Sequence, residues 1–153
     1  MDIIITSPSL NPNENVSGIS SVTQFIISNN RKQNYLHFEL GKKDLYKGGL
    51  HRIPALIKKY REWKKKLALH PDAIIHYNFP LSKPSLLRDP WFMRYAWKKG
   101  RKMLVHVHGG LFLTAPHIPG YLLRIMKWVF GQDLPFIVLS DVEKDILTQR
   151  FEA

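Results

Sequence analysis

Hydrophobic and polar positions switch between two periods along the chain, and the switches recur at short intervals. Ile3-Ile4-Ile5 is a β-branched run that predicts a strand over residues 2–6. A Pro/Asn/Ser-rich loop over 7–17 follows. Ile19, Val22 and Ile26 then fall at helical spacing, so 18–30 predicts a helix with Ser17 as its N-cap. Residues 34–40 alternate like a second strand, and 41–51 is a loop containing Gly48-Gly49. The clearest helix is 52–69. There Ile53, Leu56, Ile57, Tyr60, Trp63 and Leu67 form one stripe, and Pro54 sits in the first turn, where it is tolerated.

The second half repeats the scheme. Residues 73–77 predict a third strand, 80–90 a loop or broken helix start, and 91–99 a helix. A fourth strand covers 102–107, an apolar helix 119–130 and a fifth strand 136–139. Ser140-Asp141-Val142-Glu143 is a capping box that opens a last helix through Arg150. Five β-α units with short connections predict an α/β domain spanning 1–153. Its core is a Rossmann-like parallel sheet of at least five strands, with right-handed crossovers and helices on both faces. There is no internal repeat and no low-complexity segment.

Composition sharpens this picture. With 44% hydrophobic and 12% aromatic residues the chain is globular in character. It has no cysteine, which excludes disulfide and thiolate chemistry and fits a reducing compartment. No basic n-region precedes Ile3, and no apolar run approaches the roughly 20 residues of a membrane span. The expectation is a cytoplasmic protein, soluble or peripheral on the inner face of a membrane.

The net charge is +11, and residues 52–103, with 14 Lys/Arg against three Asp/Glu, account for all of it. Lys58, Lys59, Arg61, Lys64, Lys65 and Lys66 surround Trp63. Arg94, Lys98 and Lys99 lie among Trp91, Phe92, Tyr95 and Trp97. Basic residues interleaved with aromatics suit an anionic membrane surface. A plain solvated face explains them less fully, and nucleic acid ranks behind both.

In a parallel sheet every βα loop emerges on one edge, where ligands bind. Two loops there carry candidate chemistry. One delivers Ser17-Gly18 to a helix start, whose free N–H groups favour a phosphate or a sugar hydroxyl. The other is His108-Gly109-Gly110, a histidine at a strand tip before two glycines that let backbone approach a ligand. Ser140 at the fifth strand tip is a ligand candidate, although capping explains it. His106 is expected in the core. His106-x-His108 lacks the further ligands zinc wants, so no metal site is assigned. No GxGxxG, no G-x-S-x-G and no paired glycosidase-type carboxylates are present.

Taken in order, these features resemble the N-terminal, acceptor-side domain of the family-4 retaining glycosyltransferases, which have the GT-B fold. The resemblance rests on the Ile3–Thr6 strand before Ser17-Gly18-Ile19, the strand ending in His108-Gly109, and Ile137-Val138-Leu139-Ser140 before an acidic-started helix. It implies transfer of a sugar from a nucleotide-sugar, itself a substrate with no separate cofactor or metal, to a glycan or lipid-linked acceptor. Synthesis of a surface polysaccharide is the expected setting. It also implies that His108 lies beside the transferred sugar as the catalytic candidate. Ser17, Gly18, Gly109, Gly110 and Ser140 would then contact substrate. Ser17 stands where the family commonly has a glycine. The family's C-terminal donor-binding domain has no counterpart here, so the chain alone is expected to be inert. The competing expectation is a stand-alone Rossmann-like module that binds nucleic acid or a protein.

Overall fold

The computed structural model describes residues 1–41 and 52–151. The loop with Gly48-Gly49 falls outside the described residues. Five strands form a single sheet: β1 (Asp2–Ser7), β2 (Asn34–Glu39), β3 (Ile74–Phe79), β4 (Met103–Val107) and β5 (Phe136–Ile137). Their order is β2-β1-β3-β4-β5 and every pairing is parallel. The helices are α1 (Gly18–Asn29), α2 (Arg52–Leu69), α3 (Lys83–Lys98), α4 (Leu111–Thr114), α5 (Gly120–Phe130) and α6 (Asp141–Phe151). This is a Rossmann-like α/β fold, and the strand order reverses direction at β1/β3.

Register decides which side chains share a face, because directly opposed residues in a parallel pair point the same way. One face carries Ile4, Phe38, Ile75, Tyr77, Phe79 and Val105. It is covered by α2, α3 and α5 through a chain of ring contacts. Trp63 lies 4.9 Å from Phe38 and 6.2 Å from Tyr77 between centroids, and Phe130 lies 6.4 Å from Phe79 and 5.2 Å from Phe151 of α6. The opposite face carries Ile5, Ser7, His37, His76, Asn78 and His106, and α1 packs on it through Thr23.

Several expectations need correction. Residues 80–90 are not a broken start: α3 runs unbroken across Pro90, with Pro84 in its first turn. An interior proline forfeits a backbone bond, at about 3 kcal/mol. Ser85, Leu86, Asp89, Phe92, Met93 and Ala96 are nevertheless buried at helical spacing, and that tertiary packing keeps the helix continuous. The α2 stripe is buried only in its second half. Trp63 and Leu67 are core, whereas Ile53, Leu56 and Ile57 are exposed. Trp63, expected among the basic surface residues, is fully buried and donates its Nε1–H to Phe92 O at 3.0 Å. It is a core residue whose ring supports the seam between α2 and α3. The short α4 has no counterpart in the hydrophobic pattern, and β5 pairs over two residues only.

Candidate functional site

The carboxyl edge of the sheet gathers the ends of β1, β3 and β4 with the start of α1. The alternation in β3 places His76 and Asn78 on the α1 face, and β4 continues the same face through His106 to His108. Polar residues at every second position are unusual in strands of a parallel sheet, which are ordinarily apolar on both faces. Here they satisfy one another. Asn78 Nδ2 donates to the carbonyl of Thr6 at 2.6 Å and to Thr23 Oγ1 at 2.9 Å, and its backbone N–H donates to Thr6 Oγ1 at 3.0 Å. Asn78 Oδ1 faces His108 Nε2 at 2.7 Å. One amide thus ties together β1, α1 and the tip of β4.

This arrangement fixes the state of His108. A carbonyl oxygen only accepts, so Nδ2 is the atom on Thr6 and Oδ1 is the atom on the imidazole. A neutral imidazole facing Oδ1 must carry its proton on Nε2, which leaves Nδ1 as an acceptor. Burial, and then the neighbouring His106 and His76, hold the His108 pKa down to about 4. His108 is therefore neutral at pH 7, half-buried, with one nitrogen engaged and the other an acceptor.

The rings of His106 and His108 lie with centroids 4.1 Å apart at a tilt of 33°, and His106 Nδ1 lies 3.2 Å from His76 Nε2. It is buried, as expected of a core histidine. Burial followed by the nearby His106 lowers His76 to about 4. Burial also lowers His106, and the Glu143 carboxylate partly opposes that. Across the edge, Ser7 Oγ donates to Pro8 O at 2.8 Å and lies 2.9 Å from His37 Nε2, so His37 is the donor in that second contact. Burial lowers the His37 pKa as well. Among the described residues no group of three or more His, Asp or Glu side chains is placed to hold a metal ion.

The loops named from sequence each have a local role. Ser17 caps α1: its Oγ accepts from Ser20 N at 3.2 Å, and its own N–H donates to Asn15 Oδ1 at 2.7 Å. Gly18 faces open space, since a Cβ there would meet nothing within 4 Å. Gly109 and Gly110 adopt φ of 54° and 115°. Their close backbone neighbour is Leu81: Leu81 N donates to Gly109 O at 2.7 Å, and a Cβ on Gly110 would stand 2.8 Å from Leu81 O. The pair therefore locks the β4 loop onto the β3 loop and thereby holds His108 in register. Ser140 Oγ accepts from Glu143 N at 3.2 Å, and Glu143 Oε2 accepts from Leu139 N at 3.0 Å. The other carboxylate oxygen of Glu143 reaches over Gly109.

His76, Asn78 and Thr23 are not among the residues singled out by the sequence, whereas Glu143 is, as part of the capping box. The polar alternation His76-x-Asn78 inside an otherwise apolar strand was the available signal for the first two.

The basic candidates divide. On α2, Lys58, Arg61, Lys64 and Lys65 are exposed; Lys59 pairs with Glu62 at 3.0 Å, and Lys66 is half-buried. Lys64 Nζ lies over the rings of Tyr60 and Tyr95, at 4.9 and 5.1 Å, at the α2–α3 seam. On α3 and just after it, Arg94, Lys98 and Lys99 are exposed. Arg88 and Arg101 are committed to structure: Arg88 pairs with buried Asp89, and Arg101 donates to the carbonyls of Leu67 and His70. No described helix is long and apolar enough to cross a membrane.

No protein-family model matches the chain, and no curated protein or solved structure matches it.

Proposed function

We propose that the chain is the acceptor-side domain of a retaining glycosyltransferase of GT-B build, with the saccharide bound at the carboxyl edge of the sheet. The observation that carries this is the His108–Asn78 contact. It presents a neutral imidazole, proton on Nε2 and acceptor on Nδ1, at the tip of β4, and Asn78 joins it to Thr23 of α1, the helix that Gly18 opens. An uncharged hydrogen-bond acceptor held rigidly at a strand tip suits a sugar hydroxyl, which it can bind without the desolvation of a buried charge. The open space at Gly18 lets a phosphate or hydroxyl come close to the first turn of α1. On this reading a nucleotide-sugar is the donor, a glycan or lipid-linked saccharide is the acceptor, and a second domain holds most of the donor. The bond from the anomeric carbon to the leaving phosphate breaks, and the bond to the acceptor oxygen forms on the same face. The acceptor proton leaves with the phosphate.

The test is an NMR titration of the uniformly labelled chain with nucleotide-sugars and with oligosaccharides. The expected result is shifts confined to the amides around Gly18 and Gly109 and to the His108 ring, abolished by His108→Ala. Shifts confined to α2 and α3 on adding duplex DNA, with none at the sheet edge for any saccharide, would overturn it in favour of a nucleic-acid module.

A further inference from the structure

The layer of helices over the apolar sheet face contains a recess, on the opposite side of the sheet from His76 and His106. It is an open cleft of ≈ 400 Å³ between α3 and α5. Leu87, Pro90 and Trp91 form its α3 wall, and Ile125 and Trp128 its α5 wall. Arg94 and Arg124 also line it. No acidic side chain lines the cleft, and neither arginine is paired with a carboxylate among the described residues.

Sequence spacing explains the arrangement. Leu87, Trp91, Arg94 and Lys98 recur at i, i+4, i+7 and i+11 on α3, so they share one outward stripe. Tyr121, Arg124, Ile125 and Trp128 fall at i, i+3, i+4 and i+7 on α5 and likewise share one stripe. These stripes are strongly apolar for a surface. Trp91 is 64% exposed, Leu87 45% and Tyr121 49%. An exposed tryptophan on a helix is worth an explanation, and one beside unpaired arginines has a specific one. Indole rings seat at the boundary of hydrocarbon and water, while guanidinium groups bind phosphate in a planar fork.

We infer that this cleft receives one acyl chain of an anionic phospholipid from a bilayer, with Arg94 and Arg124 on the headgroup phosphate. The apolar walls match a hydrocarbon chain, and the two unpaired cations match the charge above it. The inference needs only α3 and α5. It stands independently of the sugar-transfer reading, whose residues lie at the sheet edge.

Vesicles of phosphatidylglycerol brominated on the acyl chain test it, because bromine quenches tryptophan only at contact. The expected result is quenching of the chain's fluorescence on phosphatidylglycerol vesicles and little on phosphatidylcholine. Trp91→Phe should remove a large part of that quenching. Arg94→Gln with Arg124→Gln should weaken vesicle partitioning by roughly thirtyfold at low salt. Leu87→Glu, at an exposed position, should abolish quenching while leaving the far-UV spectrum and unfolding midpoint unchanged. Three results would overturn the inference. One is adsorption to anionic vesicles without quenching, which means a headgroup-only contact. Another is binding of monomeric dodecyl phosphate but not of vesicles. The third is a concentration-dependent dimer that Leu87→Glu dissolves, with no vesicle binding at any salt.

Discussion

His108 Nε2 and Asn78 Oδ1 lie 2.7 Å apart although 30 residues separate them, and the same asparagine amide reaches Thr6 and Thr23. Asn78 therefore acts on His108 by positioning it, holding one tautomer and one ring orientation. Replacing Asn78 with Leu should strand the Thr6 carbonyl, Thr23 and His108 together. Each buried polar group left unsatisfied costs about 1–3 kcal/mol, so the loss should exceed that of an ordinary core change. Urea unfolding measures it. The more informative variant is Asn78→Asp. A carboxylate at that position should raise the His108 pKa by favouring imidazolium, and histidine side-chain NMR should show His108 titrating closer to neutrality. In the native protein the same spectra should show Nε2 protonated.

The histidine trio makes stability pH-dependent with a definite sign. His76 and His108 have folded pKa values of about 4, below the ordinary value of 6.5. Between those limits the unfolded chain binds more protons, so stability falls as pH drops through that window and levels off below about 4. Buried Asp89, whose pKa burial raises, acts in the opposite sense as it takes up its proton. The histidine contribution is therefore read by difference. The urea midpoint should fall between pH 7 and pH 4.5, and His76→Gln should flatten that slope whatever its effect at pH 7. An unchanged slope would mean that these rings are solvated.

Two glycines should respond oppositely to the same substitution. Gly110→Ala places a methyl 2.8 Å from Leu81 O at a φ of 115°. Neither the backbone conformation nor a backbone neighbour can yield cheaply, so a loss of about 2 kcal/mol or more is expected. Gly18→Ala meets nothing and improves helix propensity in the first turn, so stability should hold or rise slightly. A saccharide or phosphate that approaches Gly18 should bind the alanine variant more weakly despite its intact fold. Thermal melts alongside the saccharide titration separate these two effects.

The fold was legible in the sequence where a single period dominated. β-branched runs marked β1, β3 and β4, and helical stripes marked α1, α2 and α5. It was illegible where tertiary packing overrode a local signal. Pro90 reads as a break, yet the buried residues on both sides of it keep α3 whole. Ile53, Leu56 and Ile57 continue the stripe of Trp63 and Leu67 but are exposed among the described residues. The site divides in the same way. His108 announced itself by its place before two glycines. Asn78, 30 residues away along the chain, holds it, and Thr23, 85 residues away, holds Asn78; they are brought together only because β3 lies between β1 and β4. From sequence the glycine pair points to close approach by a ligand, whereas the close neighbour in the fold is the backbone of Leu81.

The basic helix offers a test in which burial, rather than charge, predicts the split. Trp63 is fully buried among Phe38, Tyr77 and Phe92, so Trp63→Ala should destabilise the protein by about 3–5 kcal/mol. Lys58 and Lys65 on the same helix are exposed, and Lys58→Gln with Lys65→Gln should leave the unfolding midpoint nearly unchanged. Their effect belongs to long-range attraction. Each cation near an anionic surface contributes about 1 kcal/mol within roughly a Debye length. Sedimentation with phosphatidylglycerol vesicles at low salt should show binding that the double variant weakens several-fold and that added salt weakens further. Duplex DNA would share the salt dependence, so the deciding experiment sets vesicles and DNA in competition for the same chain. Retention on vesicles in DNA excess is expected. Release onto DNA would identify the α2 face as a nucleic-acid surface, and binding to neither would leave Lys58, Arg61, Lys64 and Lys65 as a solvated helix face.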